Sequence, residues 1–308
     1  MLATHFPGIR TIVLDRNYGF TGGYNRAMAR LLSGPGPRPE YLLLLNSDIL
    51  VEPGWLDRLT DYMDTHPECG VCGPKLLALT HKDGAYIQTD RLEYAGAAGG
   101  YIDRFGYPFC RGRVLSRTDV DGSGYSSVKD VLWVSGACLM TRASLWEESG
   151  GLDERFFAHM EEIDYCWRAQ LAGHRVRVVP SSRVWHLGGG TLPRTSATKL
   201  RLNYRNGLLL LDNNLAPTIG RFKARVRIIT RLVLDDCSAL VYLLVGKTDF
   251  CGSVFRAHRE YRRLRKVPHK AASRNGDVRG VAPVCIILQS LLRGERIFDY
   301  LRRYEDSH

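Results

Sequence analysis

Five apolar residues in a row, Tyr41-Leu42-Leu43-Leu44-Leu45, end abruptly at Asn46-Ser47-Asp48. A run this short, apolar on both faces and closed by turn-forming residues, suits a strand buried in a parallel sheet. Helical patterns stand on either side of it. Ala27, Met28, Leu31 and Leu32 recur at helical spacing until Ser33-Gly34-Pro35-Gly36-Pro37 breaks the segment. Trp55–Met63 reads as a second helix and Gly70–Pro74 as the next strand region. A short β-rich run, Thr11–Leu14, precedes the first helix. This strand–helix alternation argues for an α/β fold with a doubly wound sheet.

The rest of the chain departs from that rhythm and then returns to it. Residues 84–130 are rich in Gly, Tyr, Asp and Arg with weak periodicity, so they read as a loop-rich insertion carrying short strands. Val131–Met140 reads as a further strand. Glu161–Ala172 reads as a helix with Gly173 just past its end, where a left-handed residue is favoured. Val176–Val179 is a strand stopped by Pro180, and Arg183-Val184-Trp185-His186 is a second short apolar segment leading into Gly188-Gly189-Gly190. Ala197–Asn214 is helical, and Pro217 separates it from amphipathic helices filling most of 218–308.

Charge divides the chain unevenly. The net charge is +11, yet residues 221–270 hold 13 Lys/Arg against 4 Asp/Glu, while residues 1–220 hold 24 against 23. A near-neutral body therefore carries a basic segment suited to phosphates or anionic headgroups; a solvated helix face is the plainer reading. The eight cysteines form no disulfide framework. Cys69 and Cys72 make one CxxC with no second pair at zinc spacing, which fits small buried residues in a reducing compartment. The longest apolar stretches, near Cys237–Gly246 and Val281–Leu292, fall short of the ~20 residues of a membrane span. The expected location is cytoplasmic, with peripheral contact at the inner face of the membrane.

In open α/β sheets, ligands bind at the C-terminal ends of strands. Asp48 sits at such an end beside Asn46, where one carboxylate plus substrate phosphates can hold a divalent ion such as magnesium. Asn-Ser-Asp is equally good turn chemistry. Glu161, Glu162 and Asp164 cluster at a helix start, after Phe156-Phe157-Ala158-His159-Met160. Asp164 and Arg168 are spaced for a helix-surface ion pair. His186 ends another strand before a glycine loop.

Taken in order, these pieces form a longer pattern. Asn17-x-Gly19-Phe20-x-Gly22-x-x-Asn25 is followed by Leu45-Asn46-Ser47-Asp48 and Trp133-Val134-Ser135-Gly136-Ala137. Gly151-Leu152-Asp153-Glu154-Arg155-Phe156-Phe157 and Glu161-Glu162-x-Asp164-x-x-x-Arg168 come next. Ala172-Gly173-His174, Val179-Pro180, Val184-Trp185-His186 and Asn203-Tyr204-Arg205-Asn206 complete the series. Over residues 9–215 it resembles the bacterial family 2 glycosyltransferases, including rhamnosyltransferase-like members. The resemblance implies a Rossmann-like GT-A nucleotide-diphospho-sugar transferase fold. It also implies inverting transfer from a nucleotide-diphospho-sugar to a glycan or lipid-linked acceptor, in the service of a surface polysaccharide.

Roles follow from that resemblance. Asn46-Ser47-Asp48 matches the metal-binding Asp-x-Asp element, with Asn46 in place of its first acid and Asp48 as the main acidic ligand for Mg or Mn. His186 matches a histidine that completes the metal site. Glu162 matches the catalytic base, where Asp is more usual, with Glu161 one residue away. Asn17, Gly19, Phe20 and Asn25 match the loop and helix start flanking the donor nucleotide. The chemistry agrees: an acceptor hydroxyl needs one base within reach, and metal charge at a diphosphate leaving group replaces a general acid.

The implied organisation is a transferase domain over 1–216 and a basic helical extension over 217–308. The first βα unit of the family has no counterpart before Pro7, so the chain reads as N-terminally truncated. Two alternatives stand beside the enzyme: a non-catalytic truncated relative, and a nucleic-acid-binding protein using 221–270. That segment carries none of the usual nucleic-acid motifs, so no nucleic-acid partner is expected.

Overall fold

The computed structural model describes residues 2–187, 196–270 and 276–306. The triple glycine Gly188–Gly190 lies outside them. The N-terminal part contains α1 (Leu2–His5), α2 (Gly19–Ser33), β1 (Tyr41–Leu45), β2 (Ile49–Val51), α3 (Trp55–Thr65) and β3 (Cys69–Lys82). The insertion supplies β4 (Ala85–Leu92), β5 (Gly100–Asp103), β6 (Pro108–Cys110), β7 (Arg113–Val114), β8 (Arg117–Thr118) and β9 (Lys129–Asp130). There follow β10 (Cys138–Arg142), α4 (Ala143–Ser149), α5 (Glu161–Leu171) and β11 (Arg175–His186). The C-terminal part is α6 (Ala197–Ile219), α7 (Arg221–Leu244), α8 (Thr248–Leu264), β12 (Val281–Ala282), α9 (Ile286–Arg293) and α10 (Ile297–Asp306).

The central sheet runs β1-β10-β3-β11-β2, with β4 added to β3 and β9 to β11. It is mixed. β3 and β11 are parallel, whereas β10 lies antiparallel between β1 and β3. The apolar run Tyr41–Leu45 is thus a strand, as its composition demands, but its partner is antiparallel and its faces alternate between buried and half-exposed. A second sheet, β12-β5-β6-β7-β8, is built mainly by the insertion. Its parallel edge β12 comes from the far C-terminal segment, which therefore returns to the body after the helices.

Four other expectations are corrected. Thr11–Leu14 is not a strand; Val13 is 83% exposed, and the apolar run finds no ladder among the described residues. Val131–Met140 contains only the start of β10, because Val131 to Trp133 bond across to Val176 and Gly100 rather than along one ladder. The two segments around Pro180 form one strand, β11; the missing N–H is absorbed in a register shift against β3 between Val179 and Arg183. Pro217 lies inside α6, whose hydrogen bonding continues to Ile219.

The core is one large cluster between the sheet, α5, α6 and the insertion, with Trp167, Tyr165 and Phe156 among its fully buried side chains. α5 is buried almost all round, which explains its weak amphipathicity. It ends as the sequence predicts, with Gly173 in a left-handed conformation at φ +95°. Cys69 and Cys72 are buried in a satellite cluster, and burial pushes the Cys69 thiol up to about 12.

Candidate functional site

Three chain segments end at the same edge of the sheet. β1 delivers Asn46-Ser47-Asp48, the end of β11 delivers His186, and the link before β10 delivers Gly136 and Ala137. The Asn46 N–H donates to Ala137 O at 2.9 Å, which ties the first and third. β2 pairs antiparallel with β11, setting Ile49 opposite His186, and the Leu187 N–H donates to Asp48 O at 3.1 Å. These backbone bonds fix the Asp48 turn against the histidine. Asp48 Oδ1 lies 3.3 Å from His186 Nε2.

The other face of His186 meets a residue that sequence reasoning missed. Glu93, just past β4 and 3% exposed, places Oε1 3.5 Å from His186 Nδ1. Burial alone would lower the His186 pKa; Glu93 first, then Asp48, outweigh it and raise the pKa. Glu93 sits in a segment with no motif. Its only sequence signal is an acid directly after the apolar end of a strand.

The acidic cluster opens α5 on the opposite side of Gly136. A side-chain carbon added at Gly136 would stand 3.4 Å from both Glu162 Cβ and the Phe20 ring. The base candidate and the start of α2 therefore share this edge. Glu161 is 5% exposed, and burial first, then the Glu162 charge, push its carboxyl well up. Glu162 keeps partial solvent access. Burial pushes it up to about 7, against the opposing pull of backbone amides at the helix start. Neither Glu161 Oε2 nor Glu162 Oε2 accepts a hydrogen bond among the described residues.

α2 begins with a compact turn. Asn17 Oδ1 accepts from the Gly19 N–H at 2.8 Å. Gly19 adopts φ +72°, and a side-chain carbon there would lie 2.6 Å from Phe157 O, so this position requires glycine. Phe20 packs on Tyr24, and the Tyr24 hydroxyl donates to Leu45 O at the end of β1. Asn25 is used differently: its amide both donates to and accepts from the backbone of Leu152, at 2.8 and 2.9 Å, holding α2 to the Gly151–Glu154 turn.

Asp164 and Arg168 do pair, at 2.8 Å, but not on the surface. Both side chains are buried, and Asn213 and Asn214 of α6 also donate to Asp164.

The donor set fits a divalent ion only in part from protein. Among the described residues no group of three or more His, Cys, Asp and Glu gathers to hold a metal. Asp48 and His186 offer one oxygen and one nitrogen, which leaves most of a coordination sphere to diphosphate oxygens, the usual arrangement for Mg²⁺ at a nucleotide. A cavity of about 770 Å³ lies elsewhere and is lined in part by Tyr62, His66, Glu68, Asp130, Arg177 and Arg279. Its charges are spent on one another, with Arg177 on Glu68 and Asp130 and Arg279 on Asp130, at 2.6 to 2.9 Å.

Known proteins resemble this chain over much of its length. The sequence profile described as glycosyltransferase like family 2 matches residues 2–207. The N-acetylglucosaminyl-diphospho-decaprenol L-rhamnosyltransferase of Mycobacterium tuberculosis is 28% identical over 211 residues, covering 67% of each chain. The rhamnosyltransferase WbbL of Escherichia coli is 26% identical over 186 residues, 60% of this chain and 66% of that one. Among solved structures, GalNAc-T7 with UDP, GalNAc and Mn²⁺ aligns at TM-score 0.45 and 14% identity, over 65% of this chain and 35% of that one.

Proposed function

This chain belongs to the glycosyltransferase like family 2, and from that premise we propose an inverting transfer of sugar from a nucleotide-diphospho-sugar to a glycan or lipid-linked hydroxyl. The observation that carries the reading is convergence. Asp48 and His186 meet at 3.3 Å, and Glu162 shares the same sheet edge with the start of α2. In this reading Asp48 and His186 hold a Mg or Mn ion, which when bound supplies positive charge at the diphosphate leaving group. Asn46 holds the Asp48 turn through its backbone. Asn17, Gly19 and Phe20 shape the donor-side wall, and Asn25 keeps α2 in place.

Glu162 is the base. Its carboxylate accepts the proton of the acceptor hydroxyl as the hydroxyl oxygen bonds the anomeric carbon. The bond from that carbon to the diphosphate oxygen breaks on the opposite side, which inverts the centre. Glu161 is less suited, because its burial and its neighbour's charge keep it protonated. A base must be ionised, so turnover should rise with pH through neutrality, following the raised Glu162 pKa.

The relative named for a diphospho-decaprenol acceptor suggests a lipid-carried acceptor for this chain too. No helix among the described residues is long and apolar enough to cross a membrane. The extension over 217–308 is instead read as the part that meets the cytoplasmic face of an anionic membrane. In support, Phe222, Val226, Ile229, Val233, Leu240 and Leu244 lie exposed on one face of α7, with Lys223 and Arg225 beside them.

The test compares Glu161→Gln with Glu162→Gln, measuring turnover and nucleotide-sugar affinity separately. Glu162→Gln is expected to lose ~10²–10⁴-fold in turnover with affinity nearly unchanged. A dead Glu161→Gln beside an active Glu162→Gln would move the role by one residue. Normal turnover in both would end the mechanism.

A further inference from the structure

The turn that leads into the two glutamates is held in an unfavourable shape. Phe157, His159 and Met160 have φ of +63°, +73° and +69°, and none is glycine. Each is disfavoured for an L-residue and persists only where its surroundings impose it. Met160 is the residue immediately before α5, so the turn's shape sets where the first turn of that helix points.

What imposes the shape is on α6. Asn206 is fully buried, and its side-chain amide N–H groups are shared among three carbonyls of the turn: Phe156 O at 3.1 Å, Ala158 O at 2.8 Å and His159 O at 2.6 Å. Arg205 adds a bond to Phe156 O at 2.6 Å, and its Nε donates to Asn206 Oδ1 at 2.8 Å, which fixes the orientation of the amide. Arg205 is itself held by Glu260 of α8, at 3.5 Å, and Glu260 also pairs with Arg201. On its far side the same turn receives the Thr21 N–H at Phe157 O, and it abuts Gly19.

We infer that Arg205 and Asn206, braced by Glu260, are positioning residues for Glu162: they clamp the Phe156–Met160 turn between α6 and α2 and so aim the base. This rests on the reading of Glu162 as base. Stability alone does not account for the arrangement, because α5 is anchored to α6 independently, through Asp164 to Asn213 and Asn214. The brace also crosses a boundary. The family profile ends at residue 207, whereas Glu260 lies beyond it, so helix α8 of the extension takes part in shaping the site.

The experiment compares Asn206→Ala, Arg205→Lys and Glu260→Gln with Leu59→Ala, a destabilising core change in a different hydrophobic cluster. Turnover, nucleotide-sugar affinity and the pH dependence of turnover are measured at temperatures where each variant is folded. Asn206→Ala is expected to lose about 10²-fold in turnover, the usual consequence of a base misplaced by an ångström, with donor affinity nearly unchanged. Its acid limb should move to lower pH as Glu162 gains water. Arg205→Lys and Glu260→Gln should shift both quantities the same way by less, and Leu59→Ala should move neither. If Asn206→Ala keeps the wild-type turnover and pH limb, or if Leu59→Ala reproduces its changes, the clamp is refuted. If Glu260→Gln alone is silent, the link to α8 is refuted. Glu162→Gln separates the two ideas: activity in that variant sinks the base assignment, whereas a dead Glu162→Gln beside an unaffected Asn206→Ala sinks only the clamp.

Discussion

Asp164→Ala offers a sharp test of the packing around α5, because sequence and structure give it different magnitudes. As an exposed i,i+4 pair with Arg168 it would contribute only about 0.3–0.5 kcal/mol. In the structure Asp164 is fully buried and accepts from Arg168 Nε, Asn213 Nδ2 and Asn214 Nδ2, each at 2.8 Å. Removing it leaves a buried guanidinium whose remaining bonds are to two carbonyls, Ser149 O and Gly151 O. Taking one partner from a buried pair costs about 3–5 kcal/mol. Asp164→Asn keeps an acceptor oxygen and loses the charge, so about 1.5–3 kcal/mol is expected. Replacing both members with apolar residues of similar volume, as in Asp164→Leu with Arg168→Met, should recover most of the loss. Denaturant unfolding followed by Trp fluorescence reads this directly, since Trp167 is buried on the same helix. A cost below about 1 kcal/mol for Asp164→Ala would refute the buried-network account, as would a double variant no better than the single.

Three further outcomes follow from the site. Asp48→Asn should abolish transfer and weaken Mn²⁺-dependent binding of the donor's nucleoside diphosphate, and His186→Ala should weaken it less; unchanged Mn²⁺ titrations in Asp48→Asn would end the metal assignment. Glu161 has a folded pKa raised far above its unfolded value, so the folded state holds a proton that the unfolded state releases above about pH 4.5. That lowers stability as pH climbs from there toward the raised pKa, and Glu161→Gln should therefore stabilise the protein at pH 8 but not at pH 4; the opposite trend would overturn the sign. Finally, Ile229→Asp with Val233→Asp on α7 should weaken binding to vesicles containing anionic lipid, where each nearby Lys or Arg contributes roughly 1 kcal/mol; undiminished binding would remove α7 as the docking face.

Much of the fold was legible where local signals agree. β1 was marked by its apolar run and closing turn, α2 by its periodicity and the Gly-Pro break, and α5 by its acidic start and Gly173. The misses have a common cause: strand identity depends on partners that a sequence does not name. Thr11–Leu14 has the composition of a strand and no ladder among the described residues. Val131–Ala137 is apolar because it is buried between two sheets, not because it extends in one. Pro180 looked like a terminator, yet a register shift lets β11 pass through it. The candidate residues Asp48, His186 and Glu162 stand out in the sequence as types at strand and helix ends, and the structure brings them to one edge of the sheet. Glu93 was not, because its meaning arises only when the insertion folds back against His186.

The first turn of α5 shows why residue type alone does not assign a role. Glu161, Glu162 and Asp164 lie within four residues and share one helix start, whose dipole favours negative charge on all three. Their surroundings divide them. Asp164 faces a guanidinium and two amides and serves as an ionic anchor. Glu161 turns into the interior, where burial and the neighbouring carboxylate keep its proton on. Glu162 is left at the boundary, raised but reachable, next to Gly136 and the start of α2. Carboxyls whose environments push them apart in this way can divide acid, base and structural work among themselves. Within this turn Glu162 combines a raised pKa with partial exposure to solvent, and it is on that combination that the proposed reading gives it the part of the base.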